Sequence, residues 1–375
     1  MLLAAGRNRE RNLFATKIER KESQKVLRYD AISIARVICI LGVVYVHAWT
    51  GLTGPELETA HGTAQESLRW FLMETFGRSA VPLLGLISGW LVAGSERTRH
   101  WQRHIARKAR TILLPMVLWN MLALLLVCGS AWLFGLPAPT PQSARWVVEE
   151  IFILTRNPDV NVQMPFLRDL FLCMMIAPML VRMPGWGLTV LILFAATCQV
   201  LGVGPPIMMR PAILMFFTLG IVARRCQAAE RVAAWPLPVT LAPFILLMPL
   251  QFWLATQSDI ARTSLWISLL DILVRLAAAL FFWRISWELA RRRAGDLLLK
   301  IEPFAFFLFC SHLILIWLGG PVLGAMFGKL GSPGYPVYLL TQPLLVLACV
   351  VVLGALMRRS TPGMALILSG GRLKP

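Results

Sequence analysis

Apolar runs of about twenty residues, separated by short basic clusters, recur along almost the whole of this 375-residue chain. No other feature restricts the fold as tightly. Hydrocarbon offers no water to an unpaired backbone group, so segments of this kind are satisfied as helices that close their own hydrogen bonds. Composition agrees: 57% of residues are hydrophobic and 15% charged, with a mean hydropathy of +0.66. A soluble domain of this size would carry about 25% charged residues. The expected fold is all-α, a polytopic membrane protein of about ten spanning helices. They lie near 32–50, 77–95, 112–134, 166–182, 187–203, 211–224, 236–256, 265–288, 303–318 and 337–357. A basic tail (1–30) should precede this bundle (31–358), and a short tail (359–375) should follow it.

Net charge is +18, which on its own would fit a nucleic-acid partner. Placement argues against that, because the basic residues cluster at the ends of apolar runs. That pattern suits an anionic membrane surface and the positive-inside bias, and it implies membrane lipids rather than nucleic acid as partners. Alternate loops are nearly bare of cations, holding Arg69, Arg145, Arg156, Arg210, Arg262 and Lys329. Both termini are therefore expected on the cytoplasmic side. The seven cysteines form no CxxC pair and read as buried free thiols, and no metal is expected. Connecting loops are too short for an independent catalytic domain, so any chemistry belongs to the bundle or its rim.

Ionisable residues inside spans mark sites or pathways more often than they fill space. Here they are Arg36, Arg78, Arg168, Arg275, Arg284, Asp169, Asp271, His47 and His312. Arg36 and His47, at the two ends of "ARVICILGVVYVHAW", stand eleven positions apart. That is close to three helical turns, so the two side chains share a face roughly 16 Å apart along the axis. An arginine can clamp an anionic group such as a phosphate through forked hydrogen bonds, and a neutral imidazole can take a proton from a hydroxyl. The plainer alternative has Arg36 snorkelling to headgroups and His47 capping its helix. Arg107 and Arg110, three apart before the third span, are either a positive-inside flank or a clamp for a polyanion. Asp271 and Arg275, like Arg284 and Glu288, have the i,i+4 spacing of a structural ion pair.

Together these segments resemble the membrane-bound acyltransferase 3 family. The likeness is carried by Asp30 and Arg36 followed by His47, by "RSAVPLLGLISGWL", and by Arg107 and Arg110 ahead of "ILLP". It continues in "PFLRDLF", with Pro165 where an aromatic is common, and in "FFLFCSHLIL" around His312. The resemblance covers most of the chain and implies a standalone enzyme of the bacterial inner membrane. Such an enzyme would move an acetyl or succinyl group from cytoplasmic acyl-CoA, as co-substrate, to a hydroxyl of a surface glycan, an exopolysaccharide or a lipid-linked oligosaccharide. On that basis Arg36, Arg107 and Arg110 would hold acetyl-CoA or succinyl-CoA. His47 would act as general base or carry the acyl group, and Arg78 and Arg168 would orient a carboxylate or stabilise an oxyanion. A secondary transporter or flippase of a glycan or lipid-linked sugar is the alternative, though no internal repeat supports it.

Overall fold

The computed structural model describes residues 2–78, 80–204, 207–256 and 265–374. Ser79 of the second-span motif and Arg262 of the sparsely charged loops lie outside the described residues. All described regular structure is helical. The principal helices are α1 (Leu2–Val46), α2 (Ala64–Ala93), α3 (Trp101–Phe134), α4 (Pro165–Leu180), α5 (Gly185–Val200) and α6 (Pro211–Arg225). They continue with α7 (Ala228–Ala234), α8 (Leu237–Thr256), α9 (Leu265–Ala290), α10 (Arg293–Phe327), α11 (Tyr335–Ser360) and α12 (Pro362–Leu368). Short helices Gly54–Thr59 and Ala144–Phe152 sit in the two longest loops.

Each of the ten expected segments falls on a helix, but they are not equivalent. Among the described residues, seven helices are long and apolar enough to cross a membrane. An eighth crossing requires α6 and α7 together, bent by 82° at the left-handed Gln227. Helices α4 and α5 have 16 residues each, or about 24 Å, less than the hydrocarbon thickness of about 30 Å. Large apolar side chains such as Trp132, Phe134, Trp186, Leu246 and Trp266 are exposed on the outside of the bundle, as lipid-facing side chains are. Phe216, Phe217, Phe307, Met116 and Tyr335 fill the interior.

Helix extends into both expected tails. At the N-terminus α1 begins at Leu2 and runs for 45 residues. The C-terminal segment turns back at Thr361–Pro362, and α12 packs with Ala365, Leu368 and Leu373 buried in the core. All seven cysteines are free, but Cys226 and Cys349 are exposed rather than buried.

Prolines and glycines at the motif positions have identifiable work. Pro165 and Pro211 open α4 and α6, where a missing N–H costs nothing and the fixed φ favours the helix. Pro82 lies inside α2 and cannot donate to the carbonyl of Arg78, four residues earlier. That carbonyl instead accepts from Nη1 of Arg275, at 3.3 Å. Gly89 and Gly220 set the contact of α2 with α6. A methyl group on Gly89 would strike the Phe217 carbonyl, and one on Gly220 the Leu86 carbonyl. Such small-residue contacts let helices approach closely where apolar burial gives no preference between lipid and protein.

Candidate active site

Two cavities lie along α1, one at each end of the Arg36–His47 stripe. The first, of about 520 Å³, is lined by Arg36, Arg107, Lys108 and Arg372, with buried His104 and with Ser88, Ser95 and Thr98. Helices α1, α2, α3 and α4 wall it, and the C-terminal segment closes one side. Its cations far exceed its anions. Nη1 of Arg36 bonds Oε1 of Glu302 on α10 at 3.0 Å. Among the described residues, Arg107, Lys108 and Arg372 have no carboxylate within ion-pair distance. A cavity with several uncompensated cations and partly apolar walls is built for an anion with an apolar extension.

The second cavity, of about 380 Å³, is lined by His47 with Arg78, Arg210 and Arg275, together with Gln163 and Gln199. His47 stands just past the end of α1, where its backbone N–H bonds the Val44 carbonyl at 3.2 Å, and its ring is half-buried. The ring of His312, on α10, lies 5.4 Å away centroid to centroid. Nδ1 of His312 donates to the carbonyls of Phe309 (2.8 Å) and Leu308 (3.1 Å). The proton is thereby assigned to Nδ1, which leaves a lone pair on a buried Nε2 that has no partner among the described residues.

The three arginines of this cavity differ in their tethers. Arg78 pairs with Glu74 at 2.8 Å. Arg275 pairs with Asp271 at 2.7 Å, so the i,i+4 ion pair expected there forms, as does that between Arg284 and Glu288 at 3.2 Å. Arg210 is held by its backbone, whose N–H donates to Oδ2 of Asp169 at 2.8 Å, and Nη2 donates to the Val162 carbonyl at 3.2 Å. No described carboxylate pairs with its guanidinium. Oδ1 of the fully buried Asp169 takes Nη1 of Arg168 at 2.7 Å. Phe166 and Phe309 line both cavities. Their ring centroids are 5.6 Å apart.

Of the expected site residues, the structure brings Arg36 and Arg107 together in the first cavity and places His47 and Arg78 in the second. Arg110 is exposed and turned away from the first cavity, whose third position on α3 is taken by Lys108. The reason is helical periodicity: His104, Arg107 and Lys108, at i, i+3 and i+4, share the face that lines the cavity, and Arg110, at i+6, falls outside it. Arg168 lines neither cavity. It neutralises Asp169 and bonds the Leu154 carbonyl, so it acts as a support for the Asp169–Arg210 connection. Arg210 and Arg372 were missed because one reads as a loop cation and the other as part of a tail. The one signal for Arg210 is Pro211, a helix opener placed directly after a cation. Among the described residues no cluster could hold a metal ion.

Known proteins with this sequence pattern place the chain further. The pattern of an acyltransferase domain, that of the acyltransferase 3 family, matches residues 29–357. Succinoglycan biosynthesis protein ExoH of Rhizobium meliloti (strain 1021) is 28% identical over 359 residues, covering 91% of this chain and 92% of that protein. No solved structure matches. With nearly the whole bundle matched, from Tyr29 beside the first cavity to the end of α11, the chain belongs to the acyltransferase 3 family and is an enzyme that transfers acyl groups other than amino-acyl groups.

Proposed function

We propose that this protein is an inner-membrane O-acyltransferase that takes an acetyl or succinyl group from cytoplasmic acyl-CoA and places it on a hydroxyl of an exopolysaccharide or its lipid-linked precursor. One observation carries the reading: a cation-rich cavity and a histidine cavity lie along one helix and share Phe166 and Phe309 in their walls. The likeness to a succinoglycan biosynthesis protein supports the choice of glycan acceptor. Distribution of basic residues supports an orientation with both termini inside and the Arg36 end at the cytoplasm.

The phosphates of CoA would lie among Arg36, Arg107 and Lys108, with the thioester arm directed along α1 toward the phenylalanine pair. A glycan hydroxyl would enter from the other side. His47 removes its proton as the oxygen attacks the thioester carbonyl, a C–O bond forms, and the C–S bond breaks to release the CoA thiolate. Arg78 and Arg210 are placed to stabilise the oxyanion or to hold an acyl carboxylate. His312, with its proton fixed on Nδ1, offers Nε2 to the His47 side as a second acceptor.

The test compares surface glycan from wild-type, deletion and His47→Ala strains by NMR. Loss of one ester signal in both mutants, with glycan export unchanged and His47→Ala protein at the wild-type level, is the expected result. Retention of the ester in His47→Ala would remove His47 from the reaction. Loss of export with the ester intact would favour the transport alternative.

A further inference from the structure

The C-terminal segment is built to deliver one side chain. After α12 the chain makes a turn at Ser369–Gly371, in which Gly370 and Gly371 both take positive φ, at 59° and 85°. Gly370 lies against the Thr111 carbonyl so closely that no side chain would fit. Thr111 sits four residues before Pro115, which has no N–H to offer this carbonyl. Buried Oγ of Ser369 accepts from the backbone N–H groups of Arg372 (3.2 Å) and Leu373 (2.9 Å). Nε1 of Trp119, on α3, donates to the Leu368 carbonyl at 3.0 Å. Leu373 is buried in the core beyond the turn.

Between these anchors the Arg372 guanidinium enters the first cavity. It lies 4.1 Å from the centroid of the Phe306 ring and donates from Nη1 to the Ser369 carbonyl at 3.0 Å. It faces Arg36, Arg107 and Lys108 across the cavity. Burial, then the neighbouring Arg36 guanidinium, pushes Arg372 down to about 10. A structure that gathers like charges at this cost, and spends a folded terminus on one of them, gains from it only when an anion arrives. Stacking on Phe306 holds the guanidinium plane and leaves the remaining N–H groups free for phosphate oxygens.

We infer that Arg372, carried by the folded C-terminal strap, is a donor-binding residue that takes a phosphate of the nucleotide part of the acyl thioester donor. The assignment rests on the proposed use of acyl-CoA. It also makes residues 361–374 part of the active enzyme rather than a tail.

Purified full-length protein is compared with Arg372→Gln and Arg372→Lys in two measurements: calorimetric titration with CoA, and transfer from acyl-CoA against transfer from acyl-pantetheine, which lacks the phosphates. Arg372→Gln is expected to weaken CoA binding about tenfold or more, and to lower the preference for acyl-CoA over acyl-pantetheine by a similar factor, with Arg372→Lys between. CoA binding within twofold of wild type in a stably folded Arg372→Gln protein overturns the assignment. So does an equal loss with both donors, which would mean that Arg372 only supports the fold. If wild-type protein binds CoA and Arg372→Gln does not, but no acyl group moves, the site stands while the proposed reaction fails. Absence of CoA binding to wild type overturns both.

Discussion

At the scale of single residues, Nε2 of His312 is a buried atom that no described group satisfies. A buried polar atom without a partner costs about 1–3 kcal/mol, and this one is enclosed by the bundle with its Nδ1 proton already committed to two carbonyls. The arrangement fixes the tautomer and presents a lone pair beside the His47 ring. Glutamine can place its side-chain oxygen near the Nε2 position, whereas asparagine reaches only as far as Nδ1. His312→Asn is therefore expected to lose roughly a hundredfold or more in acyl transfer, and His312→Gln clearly less. Turnover rates of the two variants, at matched protein level and melting temperature, decide the point. Equal losses would show that His312 is needed only for packing. Asp169 illustrates a different economy. Its buried carboxylate is shared between the Arg168 guanidinium and the Arg210 backbone, so Arg168 reaches the second cavity only through its neighbour.

Among elements, the contact between α2 and α6 is the most exacting. Gly89 faces the Phe217 carbonyl and Gly220 the Leu86 carbonyl, while Ser88, one position before, lines the first cavity. Gly89→Val forces the two helices apart and should cost about 1–3 kcal/mol. It should also lower transfer, since Ser88 and the α2 wall move with it. The melting temperature of the detergent-solubilised variant measures the first effect; a value matching wild type would mean that the helices are less tightly seated than described. This element also shows why some of the architecture was legible in sequence. An apolar run of spanning length needs no partner to declare itself, and each of the ten runs is a helix. The same logic placed Arg36 and His47 on one stripe, because helical periodicity is a local property. Arg110 was paired with Arg107 by spacing alone, although the face shared by His104, Arg107 and Lys108 excludes it, and the bend at Gln227 left no pattern of hydrophobicity to read. Residues 359–375 looked like a tail because their anchors, Trp119 and the Thr111 carbonyl, lie about 250 positions away. Only tertiary structure makes Arg372 a neighbour of Arg36.

For the molecule as a whole, the proposed reaction asks the bundle to join two substrates that arrive from opposite sides. The two cavities stand at the two ends of the Arg36–His47 stripe and share Phe166 and Phe309, so under the proposed reaction the thioester would meet the hydroxyl where those rings stand. In that reaction the pair would have two tasks with opposite demands: to admit the narrow thioester arm and to keep water from the activated carbonyl. Rings packed at 5.6 Å can part by rotamer change without disturbing the backbone. Size at position 309 should then control coupling. Phe309→Ala joins the cavities and is expected to raise hydrolysis of the donor in the absence of acceptor by several-fold or more. Phe309→Trp should leave CoA binding near wild type while reducing transfer, because the obstruction lies beyond the phosphate-binding cations. Release of free thiol with and without acceptor, measured beside calorimetric CoA binding, separates the two outcomes. If Phe309→Ala neither leaks nor transfers, the ring is a structural part of the α4–α10 packing and the arm passes elsewhere. If it leaks while Phe309→Trp stalls, the boundary between the two cavities is the place where the acyl group changes hands.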